Sequence, residues 1–236
     1  MNTYLDHMQD IGGGVAYSRR VGYLQHNFRM YLDKLDVNSR VLEIGPGTGE
    51  LLHLLNNQGV TKIDIVDQDK GVLSYCKKNY NLGKVILSSG GDPSKYVHDK
   101  YNLIVLTQVF EHIPKSEYRT WLTGLYSRLS VGGHIIITVP NGANPLVGTE
   151  RYGDLQHENI FTIYSFKELM TFTNLKYSSY VIQGFEIPPS SIINIVRISL
   201  QKILHGMFIL LMIINGGIYQ TLMTPNISLI ITKVKT

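Results

Sequence analysis

The chain has 236 residues, of which 44% are hydrophobic and 17% are charged. This composition predicts one domain with a sizeable core and excludes a charge-rich disordered protein. The net charge of +4 is too small to indicate nucleic-acid binding, and the single cysteine, Cys76, excludes an internal disulfide. Residues 1–14 contain no apolar segment behind a basic one, so we read no signal peptide and expect a cytoplasmic protein.

Helices and strands alternate through the first 140 residues. Apolar residues spaced by three and four predict helices over residues 17–35, 50–56, 71–79 and 116–129, the last capped by Ser116. Continuous apolar runs predict strands over residues 40–44, 63–66, 85–87, 103–106 and 134–139. Such strands are typical of a parallel sheet covered by helices on both faces. Ligands bind beyond the carboxyl ends of these strands, so the loops there are the expected site.

The remainder of the chain has a different pattern. Residues 140–160 are rich in glycine and proline and predict loops. Ser165 and Glu168 have capping-box spacing and predict the start of a helix. Two more strands, over residues 176–184 and 226–234, complete a seven-stranded sheet. We therefore divide the single domain into a core at 38–141, an acceptor-side loop and apolar helical insertion at 142–225, and a last strand at 226–236.

Three glycines follow the first strand and precede a helix, at Gly45, Gly47 and Gly49. Glycine allows positive φ angles and a close approach of backbone to ligand. A dinucleotide site needs another glycine where this chain has Glu50, which would repel a pyrophosphate. Asp67 ends the second strand, where a carboxylate can accept both hydroxyls of a ribose.

This pattern resembles motif I of the class I S-adenosylmethionine-dependent methyltransferases. The segment 101–114, with its Glu-His pair, and Gly132-Gly133 resemble later motifs of the same family, and together the motifs cover residues 38–141. The resemblance implies a Rossmann-like fold and S-adenosylmethionine as cofactor. The residues implied to bind it are Glu43, Gly45, Gly47, Gly49, Asp67, Gln68, Asp92 and Gln108. Asn102 departs from the family, which usually has aspartate there.

Charge agrees with this cofactor. S-adenosylmethionine is cationic at sulfur and carries no phosphate. Carboxylates at Glu43, Asp67 and Asp92 would attract it, whereas they would repel a dinucleotide phosphate.

Segments 140–161 and 223–227 resemble a subset of these methyltransferases from bacterial capsule and O-antigen pathways. That resemblance implies O-methylation of a saccharide, a sugar nucleotide or a glycan phosphate. An alcohol acceptor needs a base, for which His157 and His112 are the candidates. Candidate substrate-binding residues are Arg151, Tyr152 and Asp154. We expect no metal, although Asp154, His157 and Glu158 have spacing that could hold a divalent cation.

Other interpretations remain open. The acceptor could be an apolar small molecule such as a quinone precursor, or the chain could be a non-catalytic binding module. Residues 192–219 are strongly apolar, but the run is short for a membrane span and is interrupted by Gly216-Gly217. It could cover the acceptor pocket, form a homodimer interface, or rest on the inner face of a membrane; burial or dimerisation ranks first.

Overall fold

The computed structural model describes residues 14–148, 152–217 and 220–235. Six helices and seven strands alternate along these parts of the chain. The helices are α1, Gly14–Leu32; α2, Glu50–Asn57; α3, Lys70–Asn79; α4, Tyr118–Ser127; α5, Ile163–Thr173; and α6, Ile192–Ile214. The strands are β1, Arg40–Ile44; β2, Lys62–Asp67; β3, Val85–Leu87; β4, Tyr101–Thr107; β5, Leu129–Pro140; β6, Ser178–Gly184; and β7, Asn226–Lys233.

The strands form one seven-stranded sheet in the order β3-β2-β1-β4-β5-β7-β6. The first five strands pair in parallel, and β7 runs antiparallel to both of its neighbours. The predicted fold, a mostly parallel sheet of Rossmann-like type, is confirmed. The strand order reverses at β1 and β4, and in open sheets this switch point is where ligands bind.

Each face of the sheet carries its own apolar cluster. Alternate residues of β1 point to opposite faces, so that Val41 packs in one cluster and Leu42 in the other. Helices α1, α2 and α3 cover the first face, and α4 and α5 cover the second. Cys76 of α3 is fully buried in the first cluster. The helices on both faces fix the strands rigidly, so the loops at their carboxyl ends are held in place.

Two predicted helix starts differ from the structure. Residues Lys115–Glu117 form a separate 3₁₀ turn before α4, and Ser116 does not cap that helix. Helix α5 begins at Ile163, because Thr162 and Ser165 form the capping box and Glu168 takes no part in it. Glu117, at the N-cap of α4, makes no side-chain capping hydrogen bond, whereas the Thr162 side chain accepts a hydrogen bond from the Ser165 amide at the start of α5.

Helix α6 departs most from expectation. Its 23 residues make it long and apolar enough to cross a membrane, with a mean hydropathy of 1.6 in its most apolar window. No residue of the helix is buried, so the prediction that it is covered by its own chain is wrong. The structure extends this helix back to Ile192, so it reaches the length of a membrane span, although its uncharged run begins only at Ile203. Eleven large apolar side chains on it are exposed: Ile192, Ile193, Ile195, Val196, Leu200, Ile203, Met207, Leu210, Leu211, Ile213 and Ile214.

Candidate cofactor and acceptor site

The glycine loop joins β1 to α2 in a conformation that needs glycine. Gly45, Gly47 and Gly49 all have positive φ, at 69°, 52° and 82°. A β-carbon at Gly45 would lie 2.5 Å from Cγ2 of Val109, and one at Gly49 would overlap the Tyr80 ring. Gly49 is the N-cap of α2, and a glycine offers no side chain to cap the first amides of the helix. The loop is thus shaped for backbone contact with a ligand.

Carboxylates surround this loop. Glu43 is buried, its Oε2 atom has no hydrogen-bond partner among the described residues, and burial raises its pKa well above the usual range. Burial also raises the pKa of Asp67, which ends β2 and accepts a hydrogen bond from the Asp69 amide at 2.8 Å. Glu50 is paired with Arg20. Glu43, Asp67 and Glu50 all line the same cavity, and an unpartnered buried carboxylate there favours a cationic ligand.

The other predicted cofactor residues fall in two groups. Gln68 and Gln108 line the cavity. Gln108 has a positive φ of 55° and donates from Nε2 to Asn226 Oδ1 at 3.0 Å, which ties the end of β4 to the start of β7. Asp92 is not among the lining residues, although its neighbours Gly91 and Pro93 are. It is buried, and its carboxylate accepts hydrogen bonds from the amide and hydroxyl of Ser94. Its role as an adenine contact stays a prediction.

A cavity of about 950 Å³ opens at the carboxyl ends of β1, β2 and β4. Ligand pockets usually measure about 300–1,000 Å³, so this one has room for a cofactor and an acceptor together. Residues of α1, α6, the loop before α5 and the start of β7 complete its wall. Sequence reasoning did not expect α1 in this wall, whereas the apolar segment that forms α6 was one candidate cover of the acceptor pocket. Nothing in the local pattern indicates that Arg19 and Arg197, 178 positions apart in the chain, line the same cavity.

The two candidate bases lie side by side. The ring centroids of His112 and His157 are 4.7 Å apart, in an edge-to-face arrangement. His112 lines the cavity, whereas His157 is not among the lining residues. Burial and the neighbouring His157 lower the pKa of His112, which favours its neutral form. Of the two histidines, His112 therefore has direct access to a bound acceptor.

Glu111 lies against this pair and was not singled out as a site residue, although its Glu-His motif was recognised. It is fully buried, and neither carboxylate oxygen has a hydrogen-bond partner among the described residues. Burial raises its pKa to about 8. Its Oε1 atom is 4.0 Å from Nε2 of His157.

The predicted substrate-binding residues are only partly described. Arg151 lies outside the described residues. Asp154 lines the cavity, and its Oδ1 accepts a hydrogen bond from the Gln156 amide at 2.8 Å. Tyr152 is exposed and is not among the lining residues. The structure therefore brings Asp154 together with His112, and the substrate contacts themselves stay predictions.

Residues 17–180 match the model of a methyltransferase domain family. No curated protein sequence matches the chain.

Solved structures match over nearly the whole chain. An S-adenosylmethionine-dependent methyltransferase from Archaeoglobus fulgidus is 18% identical, with a TM-score of 0.65 over 98% of this chain and 100% of that one. The plantazolicin methyltransferase BamL, solved with a triazolic desmethylplantazolicin analogue and S-adenosylhomocysteine, is 18% identical, with a TM-score of 0.62 over 97% of this chain and 89% of that one. A putative methyltransferase in complex with the Haloferax volcanii activator Trm112 is 10% identical, with a TM-score of 0.63 over 97% and 98%. At these identities the likeness shows the fold.

Proposed function

The chain belongs to the methyltransferase domain family and is an S-adenosylmethionine-dependent methyltransferase, and we propose that it methylates an oxygen of a saccharide that carries phosphate. Sugar nucleotides and glycan phosphates are acceptors of this kind. We place the reaction in the synthesis of bacterial capsule or O-antigen polysaccharide, on the resemblance of segments 140–161 and 223–227 to that subset.

The observation that carries the proposal is the charge of the cavity wall. Carboxylates dominate the part formed by β1 and β2, whereas Arg19 of α1 and Arg197 of α6 belong to the wall contributed by the helices. A cationic cofactor suits the first part and an anionic acceptor suits the second, because each then meets charge of opposite sign. Guanidinium groups bind phosphate through paired hydrogen bonds, which adds orientation to attraction.

The residues of this chain divide the work accordingly. When bound, S-adenosylmethionine supplies an electrophilic methyl group on a positively charged sulfur. Asp67 accepts hydrogen bonds from ribose hydroxyls, and Glu43 attracts the positive end of the cofactor. The acceptor hydroxyl lies at His112, where the His112–His157 pair assists the loss of its proton as the new bond forms.

We further propose that the exposed helix α6 docks on a membrane at the inner face of the cell. Its exposed apolar side chains recur at intervals of three and four, from Val196 through Leu200, Ile203, Met207 and Leu210 to Ile214, so they share one face of the helix. A membrane surface can cover such a face along its whole length. The two charged residues of the helix are both cations, Arg197 and Lys202, and both lie in its first half, leaving 203–214 without formal charge apart from His205. This arrangement suits an anionic lipid surface with the second half inserted.

The sheet topology argues that α6 lies along the membrane and does not cross it. Gly184 at the end of β6 is the register partner of Ile227 at the start of β7, so both ends of the insertion return to one edge of the sheet. A crossing helix would need the eleven residues from 215 to 225 to return across the hydrocarbon, and eleven residues are too few for a second spanning helix. The interfacial placement brings Arg197, and with it the cavity, to the membrane surface.

The first experiment is mass spectrometry of the surface glycan from the source cell with and without the gene. We expect one residue of the glycan to lose the mass of one methylene group when the gene is deleted. In parallel, the purified protein is assayed with labelled S-adenosylmethionine and a panel of sugar nucleotides, phosphorylated glycans and quinone precursors. An unchanged glycan together with transfer only to the quinone precursors would replace the saccharide proposal by the apolar small-molecule alternative.

A further inference from the structure

Glu111, His112 and His157 form a compact group of possible metal ligands at the edge of the cavity. One side-chain donor atom of each lies within 4.8 Å of the other two. Glu111 is fully buried and both its oxygens lack a hydrogen-bond partner in the part of the chain that the structure describes. A buried carboxylate without a partner is costly, and coordination to a cation is one way in which proteins compensate that cost.

We propose that Glu111, His112 and His157 bind a divalent first-row transition-metal ion next to the acceptor. Two imidazoles and one carboxylate are a ligand set typical of Zn²⁺, Fe²⁺, Mn²⁺ and Co²⁺, with positions left open for substrate or water. Because His112 lines the cavity, an ion bound to its side chain would lie beside the acceptor pocket.

Hydrogen bonds around the group prepare it for this role. Nδ1 of His112 lies 3.2 Å from the carbonyl oxygen of Gln156, and a carbonyl can only accept, so Nδ1 carries the proton. The lone pair of His112 is then on Nε2, as a metal ligand requires, and a backbone carbonyl on the other nitrogen is the usual outer partner of such a histidine.

The loop that carries His157 is fastened to the backbone of Glu111. The amides of Glu158 and Asn159 both donate to the Glu111 carbonyl oxygen, at 3.0 and 3.1 Å. The third ligand is therefore held beside the first two by main-chain contacts. Two bonds of about 2.0–2.2 Å at a tetrahedral angle place ligand atoms about 3.4 Å apart, so binding requires the group to contract by roughly 1 Å or slightly more. Rotation of the half-buried histidine side chains can supply this movement.

The chemistry of the site follows from its position, and this part rests on the proposed function. A cation at these three residues would bind the acceptor hydroxyl and lower its pKa, so that its proton passes to solvent. The oxygen then forms its bond to the methyl carbon as the carbon–sulfur bond breaks, and the electron pair of that bond stays on sulfur. The histidines act here as ligands and need not act as bases.

The test measures metal binding directly, without acceptor. The full-length protein is freed of metal with a chelator and titrated with Co²⁺, Mn²⁺ and Zn²⁺, with calorimetry for all three and absorption spectroscopy for Co²⁺. We expect about one ion per chain and a Co²⁺ spectrum typical of nitrogen and oxygen ligands. Glu111→Gln and His157→Ala should each weaken binding at least about tenfold. His98→Ala and Glu168→Gln, which alter exposed residues away from the cavity, serve as matched controls and should bind as the wild type does.

Thermal melting keeps the test meaningful if a variant is poorly folded. Metal should raise the melting temperature of the wild type and not that of Glu111→Gln, whereas the metal-free Glu111→Gln protein should melt no lower than the metal-free wild type, because the change removes an unpaired buried acid. If the wild type binds no ion, or if Glu111→Gln binds the ion as tightly as the wild type does, the proposed metal site is wrong. A histidine acting as the base is then the remaining explanation. Methyl transfer by a protein that binds no metal would overturn this inference alone. Metal binding without transfer to any saccharide would overturn the acceptor proposal and leave the site intact.

Discussion

Asp67 is the residue on which the cofactor assignment is most easily tested. Asp67 is the last residue of β2 and lines the cavity, where its carboxylate can accept hydrogen bonds from two hydroxyl groups. We expect Asp67→Ala to weaken the binding of S-adenosylmethionine by roughly 1.5–3 kcal/mol, about tenfold or more, because a charged hydrogen-bond partner is lost. Calorimetry measures the affinity. Asp33→Ala, which removes an exposed carboxylate of an ion pair with Arg29, should leave the affinity unchanged. Equal affinity in Asp67→Ala would show that another residue holds the ribose.

The buried carboxylates also predict how cofactor binding depends on pH. Burial raises the pKa of Glu43 and, less strongly, that of Asp67. A cationic ligand binds best when both are ionised, so affinity should be greatest above the raised pKa of Glu43 and should fall as the pH falls through it. The loss approaches tenfold per pH unit for each proton taken up. Calorimetric titrations between about pH 5 and 8 measure the slope.

Glu43→Gln provides the control for this pH dependence. Glutamine keeps the shape of the side chain but cannot titrate. The variant should bind the cofactor more weakly at high pH and should show a flatter profile, with only the contribution of Asp67 remaining. A profile identical to that of the wild type would mean that Glu43 only supports the loop.

At the scale of elements, the turn between β1 and α2 joins fold and function. Gly49 and Gly59 have similar positive φ angles of 82° and 78°, but only Gly49 faces a close neighbour, the ring of Tyr80. At Gly59 the nearest atom to an added β-carbon is Cγ1 of Val37 at 3.6 Å, an ordinary contact. An alanine would therefore have a strained backbone at either position, and at Gly49 its β-carbon would also overlap the Tyr80 ring.

This comparison predicts that the Gly49→Ala and Gly59→Ala variants differ in stability. Gly59→Ala should lower the free energy of unfolding by about 1–2 kcal/mol from the backbone alone. Gly49→Ala should cost at least about 1 kcal/mol more, because the Tyr80 ring must move and its hydrogen bond to the Thr48 carbonyl is disturbed. Denaturant unfolding of both variants measures the difference. Equal losses would show that the Tyr80 ring yields without cost.

The local sequence pattern was sufficient to predict most helices and strands. It was not sufficient to predict their caps or what covers each element. The strand runs around Glu43 and Leu106 are continuous and apolar because both faces of the sheet are covered, and this feature is visible in the sequence. Helix caps are less predictable, because Ser165 can pair either with Glu168 or with Thr162, and only the backbone conformation decides. The exposure of α6 was missed since an apolar run looks the same whether protein, a second copy or lipid covers it.

The site shows the same limit. Asp67 and the glycines follow one another closely along the chain, so a motif can collect them. Glu111 and His157 come from two different loops, and their contact depends on the pairing of the Glu158 amide with Glu111. Arg197 reaches the cavity only because α6 is inserted between two neighbouring strands. Contacts of this kind depend on tertiary structure and have no local signal.

At the scale of the whole molecule, α6 connects the cavity to the surroundings of the protein. Its first half supplies Arg197 and Gln201 to the cavity wall, and its second half exposes only apolar side chains, the half-buried His205 and Gly206. An acceptor attached to a membrane lipid could then reach the cavity without leaving the membrane surface. Because the net charge is +4, anionic lipid should strengthen docking at low ionic strength.

Vesicle binding tests this arrangement. The protein should sediment with vesicles of phosphatidylglycerol and phosphatidylethanolamine, and less with neutral phosphatidylcholine. Leu210→Glu combined with Ile214→Glu should weaken binding at least about tenfold, since two exposed apolar side chains, each worth about 1.5–3 kcal/mol when buried, no longer enter lipid. Met30→Glu, at a 72% exposed apolar residue of α1, is the matched control and should bind as the wild type does. Light scattering distinguishes the alternative: a dimer in solution that the double variant dissociates, with no binding to vesicles, would show that α6 meets a second copy of the chain and that lipid is not its partner.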